Sequence, residues 1–267
     1  MQLQRLDRND SRLNSVQWLD LVPLRRNEIA HELAISLPWL AASLAAAQHE
    51  IYVVALGCSF MFFLTGLRQV HNAYHYALGI SRAATEWVMF TLSIMMLGSM
   101  HAVQINHLRH HRHCLADEDV EAMSVRMPAW RAIVIGPWFP LCLHRKAWQV
   151  GSARQRCWIA AELSANLVWI VLVFFVFDAP ALEYHVCAMT LGQCLTSYFA
   201  VWTVHHDSAP ELYPARTVRD RLKAKLTYNM FYHVEHHLFP AVPTRRLPLL
   251  AQRLDKVAPE FGAQKVF

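Results

Sequence analysis

Four apolar runs, at residues 29–47, 51–67, 157–177 and 181–204, restrict this chain more than any other feature of its sequence. Each approaches the roughly 17 to 25 residues that an α-helix needs to cross a hydrocarbon core about 30 Å thick. The runs come in two pairs, joined by the three-residue connectors Gln48-His49-Glu50 and Asp178-Ala179-Pro180. Connectors this short oblige neighbouring helices to run antiparallel. The expected fold is all-α and integral to a membrane: four transmembrane helices in two hairpins, with cytoplasmic and interfacial helices between and after them. The composition agrees, since 17% of the 267 residues are charged, against about a quarter in soluble domains.

The basic residues set the orientation. All 25 Lys and Arg fall into three blocks, five between Arg5 and Arg26, ten between Arg68 and Arg156, and ten between Arg216 and Lys265. Neither connector carries one. The positive-inside rule then places both termini and the middle segment in the cytoplasm, with the connectors outside. The net charge of +5 is a topology signal, and no basic stripe or recognition motif points to nucleic acid. The chain divides into a cytoplasmic N-terminal segment, 1–28, a membrane domain, 29–250, and a cytoplasmic tail, 251–267. The first 25 residues hold no apolar stretch of the signal-peptide kind.

Two apolar stretches of the middle segment, 87–100 and 132–143, are short for spanning, and Pro137 and Pro140 interrupt the second. Both read as interfacial or re-entrant helices. The six cysteines form no CxxC pair and read as packing residues.

The chain holds 16 histidines, and their spacing is patterned. His71 and His75 stand at i, i+4, four residues past the second run. His107, His110 and His111 stand at i, i+3, i+4, and so do His233, His236 and His237 in NMFYHVEHHLFP, so each set projects from one helix face. His205 and His206 follow the last run directly. All of these lie at the cytoplasmic membrane boundary, where helices returning to one side would gather them. His31, His49, His101, His113, His144 and His185 lack such company and read as ordinary surface or core residues. Burying so many imidazoles without partners would cost about 1–3 kcal/mol each, rivalling the stability of a whole domain, so the clusters read as metal ligands. Their number exceeds what one ion takes and suits two. Imidazole serves iron, copper and zinc alike; two adjacent redox metals favour O2 chemistry and iron.

The motifs HNAYH, HLRHH and HVEHHLFP, interleaved with two helical hairpins, resemble the histidine boxes of the integral-membrane fatty acid desaturase and hydroxylase superfamily, over roughly residues 29 to 250. The resemblance implies a di-iron centre held by His71, His75, His107, His110, His111, His233, His236 and His237. One further ligand is expected just after the last span, where VHHDSAPELYP, aligned through Pro210, Leu212 and Pro214, favours His206 over His205. It implies O2 as co-substrate and removal of hydrogen from an unactivated C–H bond. It also implies electrons from an external donor such as a ferredoxin or rubredoxin with its reductase.

An all-histidine site calls for carboxylates that orient the rings. The candidates are Asp207, Glu235 and the patch Asp117, Glu118, Asp119. Asn229, four residues before His233, would share its helix face and hold a water at the metal. Polar residues inside the last two runs, Glu162, Ser164, Asn166, Thr190, Gln193, Thr196 and Ser197, face the bundle interior, lining a headgroup path or bonding helix to helix. The leading expectation is a desaturase of a fatty-acyl or related lipid chain. The same boxes also suit a hydroxylase or ketolase of a hydrocarbon, fatty chain or carotenoid. A metal transporter is the remote alternative, because its ligands would lie near the bilayer midplane.

Overall fold

The computed structural model describes residues 10–208, 214–263 and 265–266. Pro210 and Leu212, through which His206 was favoured, lie outside them, as do residues 1–9 of the N-terminal segment. Among the described residues the chain is helical, with no strand and only isolated bridges from Thr217 to Tyr232 and Lys265. All six cysteines are free.

Helices α1 (Arg26–Ala34) and α2 (Leu37–Gln48) follow one another across a turn, and α3 (Tyr52–Tyr74) returns beside α2. Residues 26–48, α3 and α8 (Ala153–Phe175) are each long and apolar enough to cross a membrane. A fourth such span arises if α4 (Arg82–Met96) and α5 (Met100–His113), bent by 111° where they meet, count as one broken helix. The run expected at 181–204 is helical too, but composite. It comprises α9 (Pro180–Thr196), a π-helical segment (Ser197–Trp202) and α10 (Thr203–His205). It is not among the three.

The stretch 87–100, expected to be interfacial or re-entrant, packs into the bundle and leads into the bend between α4 and α5. Met89, Leu92 and Met96 are buried against Phe62 and Val70 of α3. Leu97, in the left-handed region at φ 55°, ends α4, and Ser99 caps α5 by accepting from Ala102 N at 3.1 Å. That corner leaves carbonyls open, each about 1–3 kcal/mol if buried unpaired. Helix α9 supplies the donors: Gln193 Nε2 to Met96 O at 2.7 Å and His185 Nε2 to Met95 O at 2.9 Å. Glu162 of α8 takes Ser99 Oγ at 2.5 Å and the His101 ring at 2.7 Å. These polar residues therefore bond helix to helix, while Thr190 and Thr196 donate to carbonyls of their own helix.

Helices α6 (Ala129–Val134) and α7 (Trp138–Val150) flank Gly136, where a Cβ would stand 1.8 Å from Cys194 O. Only glycine lets this turn cross α9 so closely. Pro137 precedes α7 and Pro140 lies in its first turn, positions that need no backbone donor. Beyond α10 come α11 (Arg221–Leu226), capped by Asp220 accepting from Lys223 N at 2.8 Å, then α12 (His233–Leu238) and α13 (Leu247–Leu254). Val234, Leu238, Leu250 and Leu254 pack with Leu13, Val16 and Leu21 into a separate core, which holds α12 against the end of the bundle.

Candidate metal centre

Four elements deliver imidazoles to one place. Helix α3 runs past the apolar stretch that ends at Leu67 and carries His71, with His75 as its C-terminal cap. Helix α5 carries His107, His110 and His111; α10 ends on His205; and α12 carries His233, His236 and His237. Eight of the rings fall into two groups, His71, His75, His107 and His236, and His110, His205, His233 and His237. Within each group the candidate ligand atoms lie within 4.8 Å of one another. His111 lies between the groups, its Nε2 3.1 Å from that of His107 and 3.0 Å from that of His236, its ring stacked on His237 at 4.3 Å.

The hydrogen positions decide what these rings can do. His205 Nδ1 lies 2.5 Å from Pro214 O, which can only accept, so that nitrogen carries the hydrogen. His110 Nδ1 donates to Asp119 at 2.7 Å, a carboxylate that also accepts from the Leu115 and Ala122 amides. His107 Nδ1 donates to Glu121 at 3.0 Å. In the neutral state that ligation requires, each ring has one N–H, and the Nε2 atoms of His110 and His205, 3.1 Å apart, then face each other as lone pairs. His205 and His233, and His237 and His233, approach equally closely through Nε2, at 2.9 and 3.0 Å. Both ring nitrogens of His71 are buried without a hydrogen-bond partner. Lone pairs converging in a buried site repel unless a cation lies among them. The donor set therefore fits metal ions, and its all-nitrogen character suits iron, copper or zinc.

For the rings of α12 the charge state agrees. Burial, reinforced by neighbouring rings, pushes His233, His236 and His237 well below the ordinary value of 6.5. They are neutral at neutral pH, as ligation requires.

Several expected roles fall differently. The structure brings His205 into the cluster and turns His206 away, its Nδ1 2.8 Å from Val125 O and its ring stacked on Trp202 at 4.2 Å. Asp207 is exposed, with φ 51°, 3.6 Å from His206. Glu235 is fully buried but serves Thr217 Oγ1 at 2.8 Å and Arg219 at 2.7 Å, on the opposite side of α12 from a ring-orienting role. Asn229 does not share the His233 face, because α12 begins only at His233 and Asn229 sits in the preceding turn with φ 61°. Of the acidic patch, Asp119 contacts a ring while the Asp117 side chain is 99% exposed and Glu118 reaches His113. Glu121, a residue outside that patch, orients His107. The signal for it was position: the loop after HLRHH folds straight back over α5.

The sequence matches the fatty acid desaturase family over residues 47–266. The chain belongs to that family. Among its curated relatives, a beta-carotene ketolase of Paracoccus sp. is 27% identical over 214 residues, 77% of this chain and 81% of the relative. The human (Homo sapiens) sphingolipid delta(4)-desaturase/C4-monooxygenase DES2 is 26% identical over 239 residues, 84% of this chain and 70% of the relative. A sphingolipid delta(4)-desaturase DES1 of Gallus gallus is 26% identical over 208 residues. Membership makes this chain an oxidoreductase, and its apolar helices mark a multi-pass membrane protein.

In this desaturase-family chain a cavity of about 590 Å³ leads away from the cluster, with His71, His107 and His233 in its wall. Most of its lining is apolar, as a site for a lipid chain requires. The first box also holds a structural residue that its histidines overshadow. Asn72, beside His71, accepts from Thr244 N at 3.0 Å and Thr244 Oγ1 at 2.7 Å, and donates to Glu32 at 3.2 Å. It ties α3 and α1 to the segment that follows α12.

Proposed function

We propose that this protein is a membrane-bound, di-iron, O2-dependent oxidoreductase that desaturates a fatty-acyl or related lipid chain. The observation that supports it most is the convergence of imidazole lone pairs from three histidine boxes at the end of an apolar cavity. In this reading His71, His75, His107, His111 and His236 hold one ion, and His110, His205, His233 and His237 the other. Two iron ions there would supply, with O2, the oxidising power to take hydrogen from an unactivated C–H bond.

The protein's own contribution is arrangement. Glu121, Asp119 and the Pro214 carbonyl fix three rings in the Nδ1–H tautomer, and burial keeps the rings of α12 neutral. The cavity walls exclude water and register one methylene against the rings. The catalytic domain is taken as residues 29–250, with both termini and the boxes on the cytoplasmic side, and electrons come from a separate ferredoxin- or rubredoxin-type donor with its reductase.

A second reading, insertion of oxygen rather than loss of hydrogen, is favoured by the relatives named as ketolase and C4-monooxygenase. Co-expression with a reductase system, with mass spectrometry of lipids against a His236→Ala control, tests both. A product lighter by two hydrogens supports desaturation, and one added oxygen supports hydroxylation or ketone formation. No iron after anaerobic reconstitution, together with no product, would overturn the di-iron reading.

A further inference from the structure

The cavity shows what kind of molecule it takes and from where. It follows α3 from Leu56 to Tyr74, a rise of about 27 Å, so an extended chain fits lengthwise. Among the described residues its lining contains no Lys and no Arg, and its one carboxylate is Glu121 beside His107. A phosphate or free carboxylate drawn inside would lose its hydration and find no Lys or Arg and one carboxylate in return. Several lining hydroxyls are already committed: Thr196, Thr203 and Thr227 donate to backbone carbonyls, Tyr74 to Met100 Sδ, and Ser59 bonds Ser43 and Tyr184.

One wall is a single side chain thick. Leu56 and Phe60 of α3, Leu191 of α9 and Phe199 of the π segment line the cavity and are also 53%, 50%, 54% and 37% exposed. Phe60 and Phe199 close the seam between α3 and the π segment edge to face, at 5.9 Å. Phe60 lies eight residues into α3 from Tyr52, about 12 Å along the helix axis, at a depth where a spanning helix meets acyl chains. The π segment adds a residue to the helical turn at this point, a feature that recurs at functional sites. The other surface approach, at Leu226 of α11, is flanked by Lys223 and Lys225, where a charged carrier would have to remain.

We propose that the substrate is a long-chain lipid without a charged carrier, and that it enters sideways from the bilayer between α3 and the π segment, past Phe60 and Phe199. The assignment of the cavity as a substrate site rests on the function proposed above; the route and the carrier chemistry rest on the lining.

The test uses full-length protein in phosphatidylcholine vesicles and two photoreactive probes, a diazirine-tailed long-chain alcohol in the bilayer and the coenzyme A thioester of the matching acid added from water. The alcohol is expected to label peptides containing Met61 and Met189. Phe60→Trp with Phe199→Trp should reduce that labelling about tenfold, without changing labelling at exposed Phe175 of α8. Phe60→Ala should raise the labelling rate, which keeps the test decisive if the Trp variant fails to fold. Cavity labelling by the thioester equal to that by the alcohol, or labelling indifferent to Phe60 and Phe199 but lost in Lys223→Gln with Lys225→Gln, would overturn the proposal. Cavity labelling in a protein that binds no iron and yields no product would instead overturn the enzymatic reading and leave the route standing.

Discussion

At the residue scale the adjacent histidines make the sharpest case. His205 ends α10 and faces the second group, whereas His206, the one favoured by the sequence alignment, bonds Val125 and stacks on Trp202. The choice was not legible because the π segment inserts a residue into the register, and one residue turns a helix by about 100°. His205→Ala is expected to abolish turnover and lower the iron content. His206→Ala should leave iron near wild type and cost about 1 kcal/mol of stability for its lost bond; equal iron loss in both would sink this assignment. Glu121→Ala and Asp119→Ala remove the groups that orient His107 and His110, and each is expected to weaken metal binding about 10- to 100-fold, measured by competition with a chelator. The rings of α12 also set a pH dependence. Folding holds His233, His236 and His237 neutral, while an unfolded chain protonates them below about 6.5. The unfolded state therefore takes up the extra protons, so the metal-free protein loses stability as pH falls below that value. Thermal melts of metal-free protein on the two sides of that value should show the lower midpoint on the acid side.

At the scale of elements, the histidine boxes were readable because i, i+3, i+4 spacing has one meaning on a helix, and α5 and α12 present theirs as such, while the i, i+4 pair of α3 ends on its cap, His75. Less readable was what lies between. The stretch 87–100 read as interfacial or re-entrant, and the sharp α4–α5 bend agrees with the re-entrant form; what the sequence did not show is that the corner is held by Glu162 and Gln193, side chains distant in sequence. Asn229 does not continue the helix of His233 for a local reason: its left-handed φ places it in a turn, and helix periodicity does not extend through it. The corner gives an expected outcome of its own. Glu162→Ala would leave the His101 Nδ1 and Ser99 Oγ donors without that acceptor, costing about 1–3 kcal/mol for each. Asn72→Ala should cost about 1–3 kcal/mol for each group it leaves unpaired, Thr244 and Glu32 among them. Both are read by thermal unfolding in detergent, and an unchanged midpoint would contradict the roles given to them here.

At the scale of the molecule, helices with apolar faces and a separate C-terminal core meet along a layer of imidazoles. The all-helical class and the grouping of distant boxes followed from hydropathy, charge placement and histidine spacing. The number of spans did not, since the bent α4–α5 pair and the composite α9 blur the length rule on which counting depends. Neither group of rings is complete without α12: His236 closes the first, and His233 and His237 close the second. A nascent chain that has emerged only as far as α10 holds three rings of one group and two of the other. On the function proposed above, metal binding would thus wait until α12 has been made, and a chain terminated before it would close neither group.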